Sequence, residues 1–413
     1  MQNRERECQI HKHFSRMTAR MKSSMIRELV ASTKGIPGLI SLAGGFPSPL
    51  TFPVAKLAEL YREVILTDGA DILQYGSSEG DAKLKHEIKQ LENLPDLPDD
   101  QLLITCGATN GIFLFAKTFI DEGDIILTEA PSFLGSLVAF EGTGAELVGV
   151  EMDEDGMRIE ALEAAIATAK ASGKTIKFCY VIPDFQNPTG ITTSLERRRQ
   201  ILAVAARHSF FVLEDDPYGA LRYDGESLPP MFQIAREEMG RDDLVTLVKS
   251  FSKVLGPGLR LAYVIGTENL IAKLSSWLQK VNVSVDCITQ RVIGRFIAEG
   301  LLPGQIEHIK SIYRPRLHAM LNTLEQHMPS GVTWTHPQGG MFVWLNLPAG
   351  IDADALFEIA RAHKVAFLPG SKFFPPGCEQ PNSLRLNFSY PTVEQIEVGV
   401  ERLAILIGHE LNA

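Results

Sequence analysis

The sequence predicts an α/β fold with a mainly parallel sheet of seven strands sandwiched by helices, together with a smaller α+β domain. Two observations carry this prediction. Seven short apolar runs alternate with segments of helical length between residues 102 and 265, and the order of elements changes after about residue 290. Alternating strand and helix is typical of a parallel sheet that is covered on both faces. A chain of 413 residues also favours two domains over one core.

The seven runs are rich in Val, Ile, Leu or aromatic residues and are short enough to be buried strands. They are Leu102–Cys106, Ile125–Thr128, Leu147–Val150, Phe178–Ile182, Phe211–Glu214, Val245–Val248 and Leu261–Ile265. Between them lie helical patterns such as SLERRRQILAVAARHS, where Thr193 and Glu196 have the spacing of a capping box. We therefore expect that helix to be capped by Thr193.

After residue 290 the order of elements becomes α+β. A long helical stretch at 306–328 is followed by the strand-like GMFVWLNL, the helical DADALFEIARAH, the strand-like SLRLNFS and a last helix. We therefore divide the chain into three parts. Residues 1–53 form an N-terminal arm that packs on the small domain or on a partner subunit, residues 54–290 form the large domain, and residues 291–413 form the small domain.

Composition excludes several classes of protein. Hydrophobic residues make up 45% and charged residues 22% of the chain, and the formal net charge is −10, which disfavours nucleic acid as a partner. The five cysteines are scattered, so we expect neither a metal site nor a disulfide framework, and we expect a reducing compartment such as the cytoplasm. No apolar run approaches the roughly 20 residues that span a bilayer, and the polar N-terminus does not have the pattern of a secretory signal.

Four short segments with reactive side chains lie at or just after the ends of predicted strands. In an open α/β sheet, ligands bind in the crevice beyond the carboxyl ends of the strands. Lys253 lies in one of these segments, among small hydroxyl residues and glycines, and Arg260 follows it. A lone lysine is more often a solvated surface residue. A desolvated lysine, however, loses its proton easily and can form an imine with an aldehyde, and an arginine can bind a phosphate.

The other three segments have both a structural and a functional interpretation. The acids in Glu214–Tyr218 can belong to a turn or cap a helix, or Asp215 can pair with a protonated ring nitrogen while Tyr218 bonds a neighbouring oxygen. The segment 183–190 contains turn signals, and Asn187 can also donate to a phenolate oxygen. The segment 107–111 is a strand–helix turn whose N–H groups can bind an anion.

Taken together, GATNG, QNPTG, EDDPYG and SFSKVLGPGLRLAYVIG resemble, in this order and spacing, the fold type I aminotransferases that depend on pyridoxal 5′-phosphate (PLP). The resemblance is strongest to the group with 2-aminoadipate, kynurenine and aromatic aminotransferases, and it runs from about Ser23 to about Ile407. It implies PLP as cofactor, amino acid and keto acid substrates such as 2-oxoglutarate, a ping-pong mechanism, and a homodimer whose active sites are shared between subunits.

The resemblance also implies roles for individual residues. Lys253 is the Schiff-base lysine and moves the substrate proton, Asp215 faces the pyridine nitrogen, and Tyr218 and Asn187 bind the 3′-oxygen. The phosphate is held by Ala108, Thr109, Ser250, Ser252 and Arg260, with Tyr75 reaching the phosphate of the neighbouring subunit. Arg385 binds the substrate α-carboxylate, and Gly45 lines the substrate pocket. Arg27 lies where some relatives have a mobile helix over the substrate, although a role on a surface helix is about as plausible.

The sequence departs from the family pattern at two places. Phe133 stands where relatives usually have a tyrosine stacked near the ring, so stacking is kept but a hydroxyl is lost. Ala108-Thr109 stands where many relatives have Ser or Gln at the phosphate turn. Two other functions stay open at this point: another PLP reaction on the same scaffold, such as a lyase or decarboxylase, and a non-catalytic ligand-sensing domain.

Overall fold

The computed structural model describes residues 10–21, 33 and 35–412. Within these residues the chain forms fourteen strands, numbered in chain order. They are β1 (Ile40–Ser41), β2 (Leu102–Thr105), β3 (Ile125–Ala130), β4 (Glu146–Asp153), β5 (Gly156–Met157), β6 (Ile176–Val181), β7 (Phe211–Asp216), β8 (Val245–Ser250), β9 (Ala262–Ile265), β10 (Thr333–Trp334), β11 (Phe342–Asn346), β12 (Val365–Ala366), β13 (Leu368–Pro369) and β14 (Ser383–Asn387).

The large sheet has the strand order β2-β9-β8-β7-β6-β3-β4-β5. All seven predicted strands are present, and the adjacent pairs from β8 to β4 are parallel, so the prediction of a mainly parallel sheet is confirmed. The two-residue strand β5 adds an eighth, antiparallel strand at the edge. Strand β9 is antiparallel to both β2 and β8. The carboxyl ends of β2, β3, β6, β7 and β8 therefore meet at one edge of the sheet, where β9 begins.

The same residues form thirteen α-helices. They are α1 (Arg16–Arg20), α2 (Val54–Ile72), α3 (Ala82–Leu91), α4 (Ala108–Phe119), α5 (Leu134–Thr143), α6 (Ile159–Ala171), α7 (Leu195–His208), α8 (Met231–Met239), α9 (Glu268–Val281), α10 (Cys287–Ala298), α11 (Leu301–His327), α12 (Ala353–Ala362) and α13 (Val393–Leu411). None of the helices in the described part of the chain is long and apolar enough to cross a membrane.

The predicted capping box at the start of α7 is wrong. Ser194 is the N-cap, and its side chain accepts a hydrogen bond from the backbone N–H of Arg197. Thr193 is buried, and its backbone N–H donates to the carbonyl of Pro183 at 2.8 Å. Because this bond ties Thr193 to the loop after β6, the helix begins one residue later than its sequence pattern indicates.

Aromatic packing fastens helices α4 and α5 to the large sheet. Phe178 on β6 meets Phe115 of α4 edge-on at a centroid distance of 5.0 Å, and it meets Phe140 of α5 at 5.3 Å. All three side chains are buried. Edge-to-face pairs of this kind add to the energy of apolar burial. They hold the N-termini of both helices near the edge where the parallel strands end.

The chain after α10 builds a second, antiparallel sheet with the order β10-β11-β14-β13, flanked by α11, α12 and α13. Strand β1 pairs with β12, and the N–H of Leu42 donates to the carbonyl of Ala366 at 2.7 Å. The segment before residue 53 thus contacts this C-terminal part. Helix α10 runs across residue 290 and packs on α2 and α3, and the domain boundaries stay a prediction.

Candidate active site

Lys253 lies directly after β8, in a short 3-10 turn at Phe251–Lys253. The Ser250 side chain caps this turn by accepting a hydrogen bond from the N–H of Ser252 at 3.1 Å. The Lys253 Nζ donates to the carbonyl of Gly45 at 3.4 Å and lies 5.9 Å from the centre of the Tyr218 ring. Burial, helped by the charges of Arg385 and Arg260, lowers the lysine pKa to about 8. The amine is therefore easier to deprotonate than an ordinary lysine.

Asp215 lies at the end of the neighbouring strand β7 and is buried. Its Oδ2 accepts a hydrogen bond from the Tyr180 hydroxyl at 2.6 Å, whereas its Oδ1 finds no donor among the described residues. Burial raises the aspartate pKa to about 7, the hydrogen bond from Tyr180 lowers it, and nearby Asp216 raises it. A buried carboxylate oxygen without a donor is costly, so this position suits a ligand that brings an N–H group.

A chain of hydrogen bonds joins Arg385, Asn187 and Tyr218. The Nη1 of Arg385 donates to the Asn187 Oδ1 at 2.8 Å, and the Asn187 Nδ2 donates to the Tyr218 oxygen at 3.5 Å. These three side chains are all buried. Because Asn187 follows β6, Tyr218 follows β7 and Arg385 lies on β14, the two sheets meet at this point.

Arg385 is a buried cation between two aromatic rings. Its guanidinium lies 4.1 Å from the centre of the Phe342 ring and 5.0 Å from that of Phe373, and its Nη2 donates to the carbonyl of Ala43 at 3.0 Å. Burial lowers its pKa to about 9. Among the described residues its hydrogen-bond acceptors are an amide oxygen and a backbone carbonyl, no carboxylate forms an ion pair with it, and its Nε has no acceptor. A buried arginine that has no acidic partner is suited to bind an anion.

The turn before helix α4 forms a second place for an anion. Gly107 has a φ of 81°, and a Cβ atom at this position would lie 2.4 Å from the Arg260 Nη2. Only glycine therefore lets the guanidinium approach the turn this closely. The helix starts at Ala108, so its first N–H groups point away from the helix toward the same place. Helix N-termini and arginine side chains both favour phosphate groups.

Some predicted site residues lie away from these contacts. Thr109 is exposed at the first turn of α4, and Tyr75 is 81% exposed. Phe133 is half-buried at the N-cap of α5, and its ring packs on Gly135, where a Cβ atom would come within 2.6 Å of it. Gly45 contacts Lys253 through its carbonyl, as described above. Arg27 lies outside the described residues.

Several residues at the site were missed by the sequence interpretation. Tyr180 and Ser136 support Asp215, and Phe342 and Phe373 enclose Arg385. The sequence offered one signal, because a buried tyrosine in an apolar strand usually needs a partner for its hydroxyl. Phe342 and Phe373 are each more than one hundred residues from Asp215 in the sequence, and no local pattern marks them.

Comparison with known proteins shows the family. A model of aminotransferase class I and II matches residues 37–403. The chain belongs to the class I and II aminotransferase family. Aromatic-amino-acid aminotransferase 1 of Thermococcus litoralis is 39% identical over 404 residues, which are 97% of this chain and 95% of that protein. The 2-aminoadipate transaminase of Thermus thermophilus is 36% identical over 390 residues, which are 94% and 95% of the two chains.

Solved structures agree with this assignment to the aminotransferases. The kynurenine aminotransferase of Pyrococcus horikoshii, in a complex with PMP, superposes with a TM-score of 0.92 at 35% identity, covering 98% of this chain and 99% of that one. The fold is therefore that of the fold type I PLP enzymes. The expected fold and aminotransferase activity are confirmed, and nothing in these similarities supports a lyase, a decarboxylase or a non-catalytic sensor.

The residues present fit the cofactor of this aminotransferase, which is pyridoxal 5′-phosphate. The unpartnered Oδ1 of Asp215 matches a protonated ring nitrogen, and the cradle of Gly107 and Arg260 matches a phosphate. Lys253, whose pKa is lowered by burial, is suited to form an imine with the aldehyde group. The site therefore has an acceptor, an anion-binding turn and a nucleophilic amine, one for each reactive part of PLP.

Proposed function

We propose that this aminotransferase takes its amino group from an L-amino acid with a long or aromatic side chain and gives it to a keto acid such as 2-oxoglutarate, by a ping-pong mechanism. Candidate donors are 2-aminoadipate, kynurenine and phenylalanine, in line with the names of its relatives, and leucine as a large aliphatic amino acid. One observation carries the proposal: Arg385 is a buried cation without an acidic partner in the described chain, and it lies next to Gly45, whose carbonyl accepts a hydrogen bond from Lys253. It suits the α-carboxylate that every amino acid donor has.

In this proposal Asp215 would accept a hydrogen bond from the protonated ring nitrogen of the cofactor, and Asn187 and Tyr218 would bind its 3′-oxygen. The half-buried Phe133 would stack on the ring and, unlike a tyrosine, would add no hydroxyl. When bound, the cofactor supplies an electron sink for the negative charge that develops at the substrate Cα.

The turn before α4 would hold the phosphate. The backbone N–H groups of Ala108 and Thr109 would donate to it, and Arg260 would pair with it. The hydroxyls of Ser250 and Ser252, whose oxygens lie 2.9 Å apart, complete the cradle from the end of β8. Charge-assisted hydrogen bonds of this kind are roughly twice as strong as neutral ones, so this turn supplies much of the affinity for the cofactor.

Lys253 moves the proton. Its amine would take the proton from the substrate Cα, and the resulting ammonium would deliver that proton to the 4′ carbon of the cofactor. A pKa of about 8 places the amine within one unit of neutral pH, so both protonation states are accessible. Arg385 orients the substrate by its α-carboxylate, and Gly45, which has no side chain, leaves room for the substrate next to the lysine. Arg27 is proposed as a further substrate contact.

We also propose that the enzyme is a cytoplasmic homodimer. The segment 50–75 exposes several large apolar side chains, which a monomer rarely leaves open to water. They are Leu50, Val54, Leu66, Leu73 and Tyr75, each between 66% and 81% exposed. In a dimer Tyr75 reaches the phosphate in the partner subunit. The free thiols of Cys106, Cys179, Cys287 and Cys378 suit a reducing compartment.

The test is the absorption spectrum of the purified holoenzyme before and after adding L-2-aminoadipate, L-kynurenine, L-phenylalanine and L-leucine singly, without a keto acid. Conversion of the aldehyde form of the cofactor to its amine form by one of these donors would support the proposal and identify the donor class. If none of the four converts it, the proposed donor class is wrong. Arg385→Gln serves as the matched variant, since it keeps the cofactor and loses the carboxylate contact.

A further inference from the structure

We propose that Tyr180 is a positioning residue of the reaction: its hydroxyl, oriented by Ser136, keeps Asp215 ionised and turns the free oxygen of that carboxylate toward the cofactor. This inference rests on the proposed role of Asp215. Tyr180 does not touch the substrate or the cofactor in this proposal, and it acts only through the aspartate.

The hydrogen bonds around Tyr180 have a defined direction. Ser136, on helix α5, donates through Oγ to the Tyr180 oxygen at 2.9 Å, and Tyr180 donates to the Asp215 Oδ2 at 2.6 Å. Because the serine proton occupies one side of the phenol oxygen, the phenol proton is directed to the aspartate. The Tyr180 ring is fully buried and meets Phe140 edge-on at 5.3 Å, so it holds its place without water.

This contact decides which oxygen of Asp215 is left for a ligand. Tyr180 occupies Oδ2, and Oδ1 has no donor in the described part of the chain. Strands β6 and β7 are parallel neighbours, with Tyr180 opposite Leu213. Tyr180 therefore reaches Asp215 from the adjacent strand, and the sheet itself fixes the distance between them. A carboxylate held by one oxygen presents the other in a single orientation.

The charges around Asp215 show why it needs this support. Its pKa is raised to about 7, mainly by burial and also by Asp216, whereas the hydrogen bond from Tyr180 and then the charge of Lys253 limit this rise. Glu129 on β3 is also buried, its pKa is raised to about 8, and Asp215 contributes to that rise. The negative charge of Asp215 also contributes to raising the pKa of the Tyr218 hydroxyl, after the larger effect of burial.

Tyr180 is the largest of the influences that keep Asp215 ionised, ahead of the charge of Lys253. Burial, with the help of Asp215, raises the pKa of Tyr180 well above its ordinary value, so the phenol stays a donor over the whole neutral range. Without this donor, the pKa of Asp215 would rise further, and a neutral carboxyl does not stabilise a protonated ring nitrogen.

The experiment compares the Tyr180→Phe holoenzyme with the wild type and with Tyr223→Phe. Tyr223 is also buried, and its hydroxyl donates to the carbonyl of Gly340, so this control removes a buried hydroxyl that does not contact Asp215. We expect Tyr180→Phe to weaken PLP binding to the cofactor-free enzyme by about 10-fold, the value of one hydrogen bond to a charged group. We also expect the acidic limb of the pH–kcat/KM profile to move up by about one pH unit.

Two further variants separate the possible failures. In an Asp215→Asn background, Tyr180→Phe is expected to change neither the PLP affinity nor the acidic limb any further, because Tyr180 acts only through the carboxylate that Asp215→Asn removes. If Asp215→Asn alone leaves both quantities unchanged, the proposed role of Asp215 is wrong. If Asp215→Asn changes them but Tyr180→Phe behaves like Tyr223→Phe, only the inference on Tyr180 is overturned.

Ser136→Ala keeps the test decisive if Tyr180→Phe does not fold. This variant leaves the phenol in place and removes the proton that orients it. We expect the same two changes as in Tyr180→Phe, in the same direction and of smaller size. An unchanged PLP affinity and an unchanged acidic limb in Ser136→Ala would contradict the orienting role of the serine.

Discussion

At Lys253, Asp215 and Arg385, burial is the largest cause of the shift in pKa. Burial disfavours the charged form, so it lowers the pKa of the two bases and raises that of the acid. In the cofactor-free chain all three groups are therefore poorly satisfied. In our proposal each receives the partner that the cofactor or substrate brings: an aldehyde for the lysine, a protonated nitrogen for the aspartate, and a carboxylate for the arginine.

Replacement of Asp215 by Asn is expected to stabilise the cofactor-free protein at neutral and alkaline pH. The pKa of about 7 in the folded state lies above the ordinary value of 3.8, so ionisation of Asp215 lowers the stability of the wild type as pH rises from 4 to 7. The Asn side chain does not ionise. From pH 4 to above pH 7, the free energy of unfolding of the variant is therefore expected to rise by roughly 2–4 kcal/mol relative to that of the wild type. Urea unfolding at pH 4 and pH 8 measures this, with the exposed Asp96→Asn as control. A difference that does not change with pH would contradict it.

Replacement of Arg385 by Lys is expected to lower kcat/KM for the amino acid donor by about 100-fold, because an ammonium does not bind a carboxylate bidentately. The affinity for PLP is expected to stay unchanged, since Arg385 does not bind the cofactor in our proposal. Steady-state rates and a PLP titration measure both quantities. Arg241→Lys, at an exposed ion pair with Asp243, is the control. A normal kcat/KM in Arg385→Lys would refute the assignment of this residue to the α-carboxylate.

Among the individual site residues, those that lie in recognisable motifs could be predicted from the sequence. Lys253, Asp215, Asn187 and Tyr218 lie at or just after strand ends, in the segments SFSKVLGPG, EDDPYG and QNPTG, and the structure brings them together. Tyr180 was not predicted, because it lies inside an apolar strand where its ring alone explains its presence. Its hydroxyl gains a role only when β6 and β7 lie side by side, which is a tertiary fact.

Among the elements, the glycine turn before α4 is the most sensitive to substitution. Gly107→Ala is expected to weaken PLP binding at least 10-fold, because the added methyl group displaces Arg260 from the turn. Gly123→Ala is the matched control, since this glycine also has a positive φ, 91°, but has no atom within 4 Å of the added methyl group. Both variants are expected to lose about 1 kcal/mol of stability from the unfavourable φ. PLP titration of the cofactor-free variants measures the difference, and equal affinities would contradict the role of this turn.

The existence of elements was easier to predict than their direction and their ends. All seven apolar runs are strands of the large sheet, because buried strands need apolar side chains on both faces. The antiparallel direction of β9 depends on the short connection from β8 through residues 251–261 and has no signature in its own residues. The start of α7 was misjudged because Thr193 is tied to the loop after β6.

For the whole molecule, we predict a dimer in solution with twice the chain mass of 45.5 kDa. Leu73→Asp places a charge beside Tyr75 in the exposed apolar segment and is expected to shift the protein toward monomers, with loss of PLP affinity because Tyr75 no longer reaches the partner. Ile405→Asp, an exposed apolar position on α13, is the control. Sedimentation velocity measures the mass, and a wild-type protein that sediments as a monomer would contradict the proposal.

The oligomeric state could not be predicted from the motifs of the single chain. The sequence indicates Tyr75 only through the family resemblance, and its side chain is 81% exposed in the single chain. The donor is equally hard to predict, because the proposed substrate pocket draws on residues as distant in the sequence as Gly45, Phe133 and Phe342. Family membership, in contrast, follows from motifs that cover nearly the whole chain.

The most direct test of the central claim is to reduce the holoenzyme with borohydride and to map the peptides by mass spectrometry. Borohydride makes the bond between a lysine and the aldehyde of PLP permanent. We predict that the mass of the reduced cofactor is found on the peptide with Lys253 and on no other, and that Lys253→Ala shows no labelled peptide. A label on a different lysine of the wild type, or no label in a protein saturated with PLP, would contradict the account.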